Sequence, residues 1–190
     1  MKNIFLDCGT HLCEGIYKFY QLGIIDDSYE IHAFEANPEC YIEDRIKNIP
    51  LNITPHNNAV WVSNDKLLFS QENNTGAPKD ARSNKDGWAS SVTSLGMRCD
   101  GYKTTVEVNG IDFSSFIYSF NSTDNIICKM DIEGSEYKVL PHLIETKAMQ
   151  RIKKIYIEFH SRFFDDITPI TDLELIDSIT KLGTEVQLWD

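Results

Sequence analysis

Basic residues are scarce in this chain. Its 190 residues carry 18 Lys and Arg against 29 Asp and Glu, a formal net charge of −11. Such a surface repels phosphate backbones, so no nucleic-acid partner is expected. The five cysteines, Cys8, Cys13, Cys40, Cys99 and Cys128, include no C-x-x-C pair and are odd in number, which argues against a zinc site or a disulfide framework. They read instead as reduced core thiols of a cytoplasmic protein. The first apolar run, Ile4-Phe5-Leu6, is cut by Asp7 too early for a signal peptide. No stretch is long enough to span a bilayer, and there is no lipid-anchor motif, internal repeat or low-complexity tract. The length fits one domain over residues 1–190.

A G-x-G-x-x-G signature is also missing. After the apolar run come Asp7 and Cys8, then Gly9 followed by Thr10, His11, Leu12 and Cys13, then an apolar-periodic segment (Leu12, Ile16, Phe19, Tyr20) closed by Gly23. The order is strand, loop, helix, with a glycine where backbone can approach a ligand and free N–H groups at the helix start. A pyrophosphate needs the second and third glycines, and Asp7 would repel it. A cofactor with a cationic amino-acid tail and no phosphate, S-adenosylmethionine, suits an acid there. An ordinary turn without a ligand is the competing reading.

Further strands are expected at Tyr29–Phe34, about 51–60 with a break near Asn57-Asn58, Thr105–Val108, Ile126–Met130, Ile155–His160 and Glu185–Trp189. Helices are expected from Asn37-Pro38 to about Asn48, over 111–117, from Glu136 with a bend or break at Pro141, and from a capping box at Thr171-Asp172-Leu173-Glu174 to Leu182. Val60 to Phe69 suggests a hairpin-like excursion, and Ser70 to Thr105 a long exposed loop or insertion. Alternating strands and helices predict an α/β fold, a doubly wound and mostly parallel sheet with right-handed crossovers.

Ligands in such sheets bind beyond the strand carboxyl ends. Asp7, Glu35, Asn58, Asp131 and the Glu158/His160 pair all fall at such ends. Glu35 can accept ribose hydroxyls, and Asn58-Ala59 can meet an adenine edge. Methyl transfer to oxygen needs alignment and removal of the hydroxyl proton. A neutral His160 imidazole or a carboxylate could take it; alternatively Asp131, Glu158 and His160 could hold Mg²⁺ or a similar divalent ion.

Several segments together resemble the FkbM family of S-adenosylmethionine-dependent methyltransferases. They are Leu6-Asp7-Cys8-Gly9-Thr10-His11, Ala33-Phe34-Glu35-Ala36-Asn37-Pro38, Asn58-Ala59-Val60, Ser90-Ser91-Val92, Val108-Asn109-Gly110-Ile111-Asp112, Lys129-Met130-Asp131-Ile132-Glu133-Gly134-Ser135-Glu136 and Ile157-Glu158-Phe159-His160. The resemblance implies a Rossmann-like methyltransferase that transfers methyl to a hydroxyl of a sugar, a glycan or a polyketide-like product. The implied cofactor-binding residues are Asp7, Gly9, Thr10, His11, Glu35, Ala36, Asn58, Ala59 and Asp131, with Asp7, Gly9 and His11 near the methionine moiety and Asp131 between cofactor and acceptor. Proton handling is expected at His160 or Glu133, with Asp131 completing the candidate catalytic set, and Trp88 in the long loop is a candidate stacking surface for a sugar ring.

The chain departs from the family's D-x-G-A-N-x-G at Thr10, His11 and Cys13. This keeps open a rival reading, a catalytically inactive scaffold domain; a nicotinamide-dependent oxidoreductase is a further rival, disfavoured by the missing glycines. The usual N-terminal cover helices are absent before the first strand, so the resemblance implies a homodimer or a piece of a larger multidomain enzyme, one joined to glycosyltransferase modules for example.

Overall fold

A computed structural model describes residues 1–40, 42–72, 91–92 and 103–189. The chain forms β1 (Asn3–Cys8), α1 (Glu14–Gln21), β2 (Tyr29–Phe34), α2 (Ile42–Arg45), β3 (Ile53–His56), β4 (Ala59–Trp61), β5 (Lys66–Glu72), β6 (Ser91–Val92) and β7 (Lys103–Asp112). Then follow α3 (Phe113–Tyr118), β8 (Asn125–Met130), α4 (Glu136–Glu145), β9 (Ile152–Ile157), α5 (Pro169–Lys181) and β10 (Glu185–Leu188).

Six strands form a parallel sheet in the order β10-β9-β8-β1-β2-β3. The chain starts in the middle at β1, winds outward to β3, then returns to β8 on the other side of β1 and winds outward to β10. The reversal places the topological switch point between β1 and β8, where doubly wound sheets bind ligands. Both faces of the sheet are covered, as the near-continuous apolar runs require. Alternate residues of β1 serve the two cores. Ile4, Leu6 and Cys8 pack with Phe113 and Ile117 of α3, with Val139, Leu140 and Leu143 of α4 and with Ile179 of α5. Phe5 faces the other way, against Ile16 and Phe19 of α1.

The expected third strand is two strands. β3 pairs with β2 in the central sheet, whereas β4 pairs with β7 in a second sheet of order β4-β7-β5-β6. Asn57 and Asn58 are the step between sheets. The expected hairpin-like excursion is instead a passage from β4 to β5, which runs to Glu72 and pairs antiparallel with β7; β7 starts at Lys103, so among the described residues the ends of the expected long loop, and Ser91-Val92 paired to Phe69 and Ser70, are strand. Residues 73–90 and 93–102, including Trp88 and Cys99, lie outside the described residues.

Three helix expectations also change. The 38–48 segment is a 3₁₀ turn, a four-residue α-helix and a second 3₁₀ turn rather than one helix. Residues 111–112 stay in β7, and α3 begins after Asp112, whose carboxylate accepts the Ser114 and Ser115 N–H groups at its N-terminus. α5 begins earlier than expected, at Pro169 after Thr168, with the Thr171 hydroxyl reaching the Thr168 N–H at 3.4 Å. Pro141 sits inside an unbroken α4. Among the described residues no helix is long and apolar enough to cross a membrane.

Candidate functional site

The carboxyl ends of β1, β2, β8 and β9 open into a cleft of about 620 Å³, within the usual range for small-molecule sites. Gly9, Thr10, His11, Glu35, Ala36, Asn58, Ala59, Asp131, Glu133 and Glu158 line it. Asp7 and His160 stand behind the wall, both fully or almost fully buried.

The loop after β1 is held by backbone geometry. Gly9 adopts φ +74°, and a Cβ there would stand 1.7 Å from the Asp131 carbonyl oxygen. Only a bare backbone lets the β1–α1 loop touch the β8–α4 loop across the switch point. His11 (φ 49°) and Cys13 (φ 67°) are also left-handed, at the two positions where the family pattern carries Asn and Gly. The backbone shape that those residue types favour is therefore kept here with less permissive side chains.

Beneath this loop sits a lysine that the strand pattern did not single out. Lys129 is the register partner of Asp7 on the neighbouring strand, so both side chains leave the same face. Its ammonium donates to the Gly9 carbonyl at 2.8 Å and lies 3.2 Å from Asp131 and 3.6 Å from Asp7. Burial works against the charge, but Asp7 and Asp131 outweigh it and hold the lysine firmly protonated. A charge inside an otherwise apolar strand was the available signal, since lysines are almost never fully buried unless paired. The Thr10 hydroxyl donates to the other Asp7 oxygen at 2.6 Å, leaving Asp7 Oδ1 buried without a hydrogen bond.

Glu35, 8% exposed, accepts the His11 and Asn37 N–H groups, each at 2.7 Å, one on each oxygen. Burial raises its pKa, against the pull of those two bonds. Each oxygen keeps a lone pair for a ligand hydroxyl.

The opposite wall gathers carboxylates around one imidazole. His160 is 1% exposed; its Nδ1 lies 3.2 Å from Glu136 Oε1, and its Nε2 faces Glu133 at 3.5 Å, Glu158 at 3.6 Å and Asp131 at 3.8 Å. Burial alone would lower the His160 pKa, but the bond to Glu136 and the surrounding charges bring it to about 9. An imidazole so placed carries its proton at neutral pH, which argues against the neutral base expected from sequence. Glu133, at a left-handed φ of 53°, is pushed up to about 8 by burial, with His160 opposing and Asp131, Glu136 and Glu158 adding. A carboxyl titrating there is suited to proton handling near neutral pH. Glu158, expected beside Asp131 and His160 as a metal ligand, is also paired with Arg162 at 2.9 Å, whereas Asp131, Glu133 and His160 bring one ligand atom each within 4.8 Å of one another. Trp189 closes the far end, stacked on Phe19 with centroids 4.8 Å apart and with the Lys18 ammonium 4.2 Å from its ring.

A parallel sheet with a polar cleft at its switch point defines a doubly wound α/β domain that binds a small molecule through its strand ends. The model of one family, the methyltransferase FkbM domain, matches residues 7–184, and the chain belongs to that family. It is a methyltransferase domain. No curated protein and no solved structure matches the chain.

Proposed function

We propose that the chain is an S-adenosylmethionine-dependent O-methyltransferase acting on a hydroxyl of a sugar, a glycan or a related small molecule. The carrying observation is the cleft's chemistry: a bare glycine loop flanked by Glu14, Glu35 and Asp131, with no glycine-rich phosphate cradle. Acids around close-packed backbone suit a cationic adenosine compound without phosphate. The buried Asp7 Oδ1 beneath the loop adds an acceptor that the protein itself leaves without a hydrogen bond. When bound, S-adenosylmethionine supplies an electrophilic methyl group on sulfur and leaves as a neutral thioether.

The chain's residues then divide the work. Gly9, Thr10 and His11, with Asp7 behind them, would hold the methionine moiety, Glu35 and Ala36 the ribose, and Asn58 with Ala59 the adenine. Lys129 fixes the Gly9 carbonyl and Asp131, and so keeps the two loops in register. Asp131 and Glu133 would accept the hydrogen bond of the acceptor hydroxyl and draw off its proton as the new C–O bond forms. His160 orients both carboxylates from behind. A divalent cation belongs to the same reading.

Calorimetry tests the assignment. S-adenosylhomocysteine should bind with one site per chain, and NAD should give no heat. No heat with S-adenosylhomocysteine favours the inactive scaffold, and binding of NAD instead would revive the oxidoreductase. Methyl transfer to a panel of unmethylated sugars then identifies the acceptor.

A further inference from the structure

We propose that Asp131, Glu133 and His160 form a binding site for one divalent cation of the Mn²⁺ or Mg²⁺ kind, with Glu136 as the residue that orients the imidazole from behind. The spacing is the first support. His160 Nε2 stands 3.5–3.8 Å from oxygens of Glu133, Glu158 and Asp131. These separations are longer than hydrogen bonds, which cluster at about 2.7–3.2 Å. They approach the edges of an octahedron with metal–ligand bonds of about 2.1 Å, whose neighbouring ligands lie roughly 3 Å apart and opposite ones roughly 4.2 Å apart.

The second support comes from groups that the protein leaves unanswered. The His160 side chain is 1% exposed, and its Nε2 points between three carboxylates at distances longer than ordinary hydrogen bonds; an ion taking that nitrogen displaces the proton it otherwise holds. Glu136, fully buried, accepts the Ile132 N–H at 2.7 Å with the oxygen that also meets His160 Nδ1, and its other oxygen is buried without a hydrogen bond. A carboxylate behind one imidazole nitrogen fixes the ring and its tautomer for a cation at the other. Lys129 is shared between Asp7 and Asp131, and Arg162 reaches Glu158. Among the described residues Glu133 and Glu136 therefore face the imidazole as their nearest cationic partner. Two carboxylates favour a hard ion, and the imidazole nitrogen favours Mn²⁺ over Mg²⁺.

The cation's role in catalysis rests on the function proposed above; its binding does not. A hydroxyl proton is held about as tightly as that of water, and a bound divalent ion can bring the pKa of such a group down toward neutrality. The acceptor oxygen would then reach the methyl carbon as an alkoxide, its proton having passed to the carboxylate oxygen of Asp131 or Glu133 that the ion leaves free.

Chelator-treated full-length protein titrated with Mn²⁺, followed by calorimetry and by the electron paramagnetic resonance signal of free Mn²⁺, should bind one ion per chain. Glu133→Gln should weaken that affinity at least tenfold, and Glu136→Gln about 10- to 100-fold. Asp177→Asn, at an exposed ion pair with Lys181 on α5, should leave it unchanged. Absence of stoichiometric Mn²⁺ binding, or equal affinity in wild type and Glu133→Gln, overturns the site. If Glu136→Gln fails to fold, Glu133→Gln, whose side chain is partly exposed, decides alone. S-adenosylhomocysteine titrated into the same chelated protein separates the two readings: heat with it but none with Mn²⁺ removes the cation site and leaves the methyltransferase assignment standing.

Discussion

The two walls of the cleft are built on opposite terms. On the β1–β2 side almost every polar group is tied to a neighbour: Thr10 to Asp7 at 2.6 Å, Glu35 to two N–H groups at 2.7 Å, the Gly9 carbonyl to Lys129 of β8 at 2.8 Å. On the β8–β9 side carboxylates stand 3.5–3.8 Å from the one imidazole they share. The first wall is shaped in advance by backbone geometry and should govern binding. The second gathers Asp131, Glu133, Glu136 and Glu158 around one imidazole, with Lys129 reaching only Asp131 and Arg162 only Glu158 among them, and should govern turnover.

The sharpest way to break this contrast is Gly9→Ala. Its Cβ would lie 1.7 Å from the Asp131 carbonyl at a left-handed φ of +74°, so both walls must move apart. Stability should fall by about 3 kcal/mol or more, and S-adenosylhomocysteine binding should vanish. Denaturant unfolding and calorimetry read both effects, and a variant as stable as wild type would show that the two loops are not locked together.

Glu133→Gln should act on turnover and spare cofactor binding. A drop in kcat of roughly 10²- to 10⁴-fold is expected, with S-adenosylhomocysteine affinity changed by no more than about twofold. Because burial lifts the Glu133 carboxyl to about 8, it is protonated at pH 7 and ionised above pH 8. In wild type kcat should therefore climb as the pH rises toward about 8 and level off beyond it; the variant should lose that rise. A flat wild-type profile would take Glu133 out of the proton path.

Glu35→Ala should give the reverse pattern, with cofactor affinity about tenfold weaker and kcat at saturation within a few-fold of wild type. It also orphans the His11 and Asn37 N–H groups, at about 1–3 kcal/mol of stability, which a lower Tm would register. Cys13→Gly should be the mildest. Relief of the left-handed φ of 67° is worth about 1–2 kcal/mol, and losing a small, fully buried side chain costs a similar amount. Unfolding free energy should stay within about 1 kcal/mol of wild type; a large change either way would mean that one of those two opposing effects dominates.

The central sheet was legible because its strands announce themselves locally. Ile4-Phe5-Leu6 and Ile126-Ile127-Cys128 are apolar runs that stop at polar residues, as strands covered on both faces must. The step from β3 to β4 was hidden, because whether Asn57-Asn58 is a kink or a change of sheet depends on β7, some 50 residues away. Pro38 correctly marked a helical start, but nothing local revealed that the segment would run as three short turns instead of one helix. In the cleft, sequence marked the carboxylates and missed their tether. The part played by Lys129 emerges only when β1 and β8 lie side by side.

That change of sheet bears on how the family could diversify. Val60 of β4 and Phe69 of β5 reach the cleft from a sheet that the central strands do not need for their own pairing. Substitutions along this shelf could re-tailor which acceptor is admitted while the strand ends of the central sheet are inherited intact.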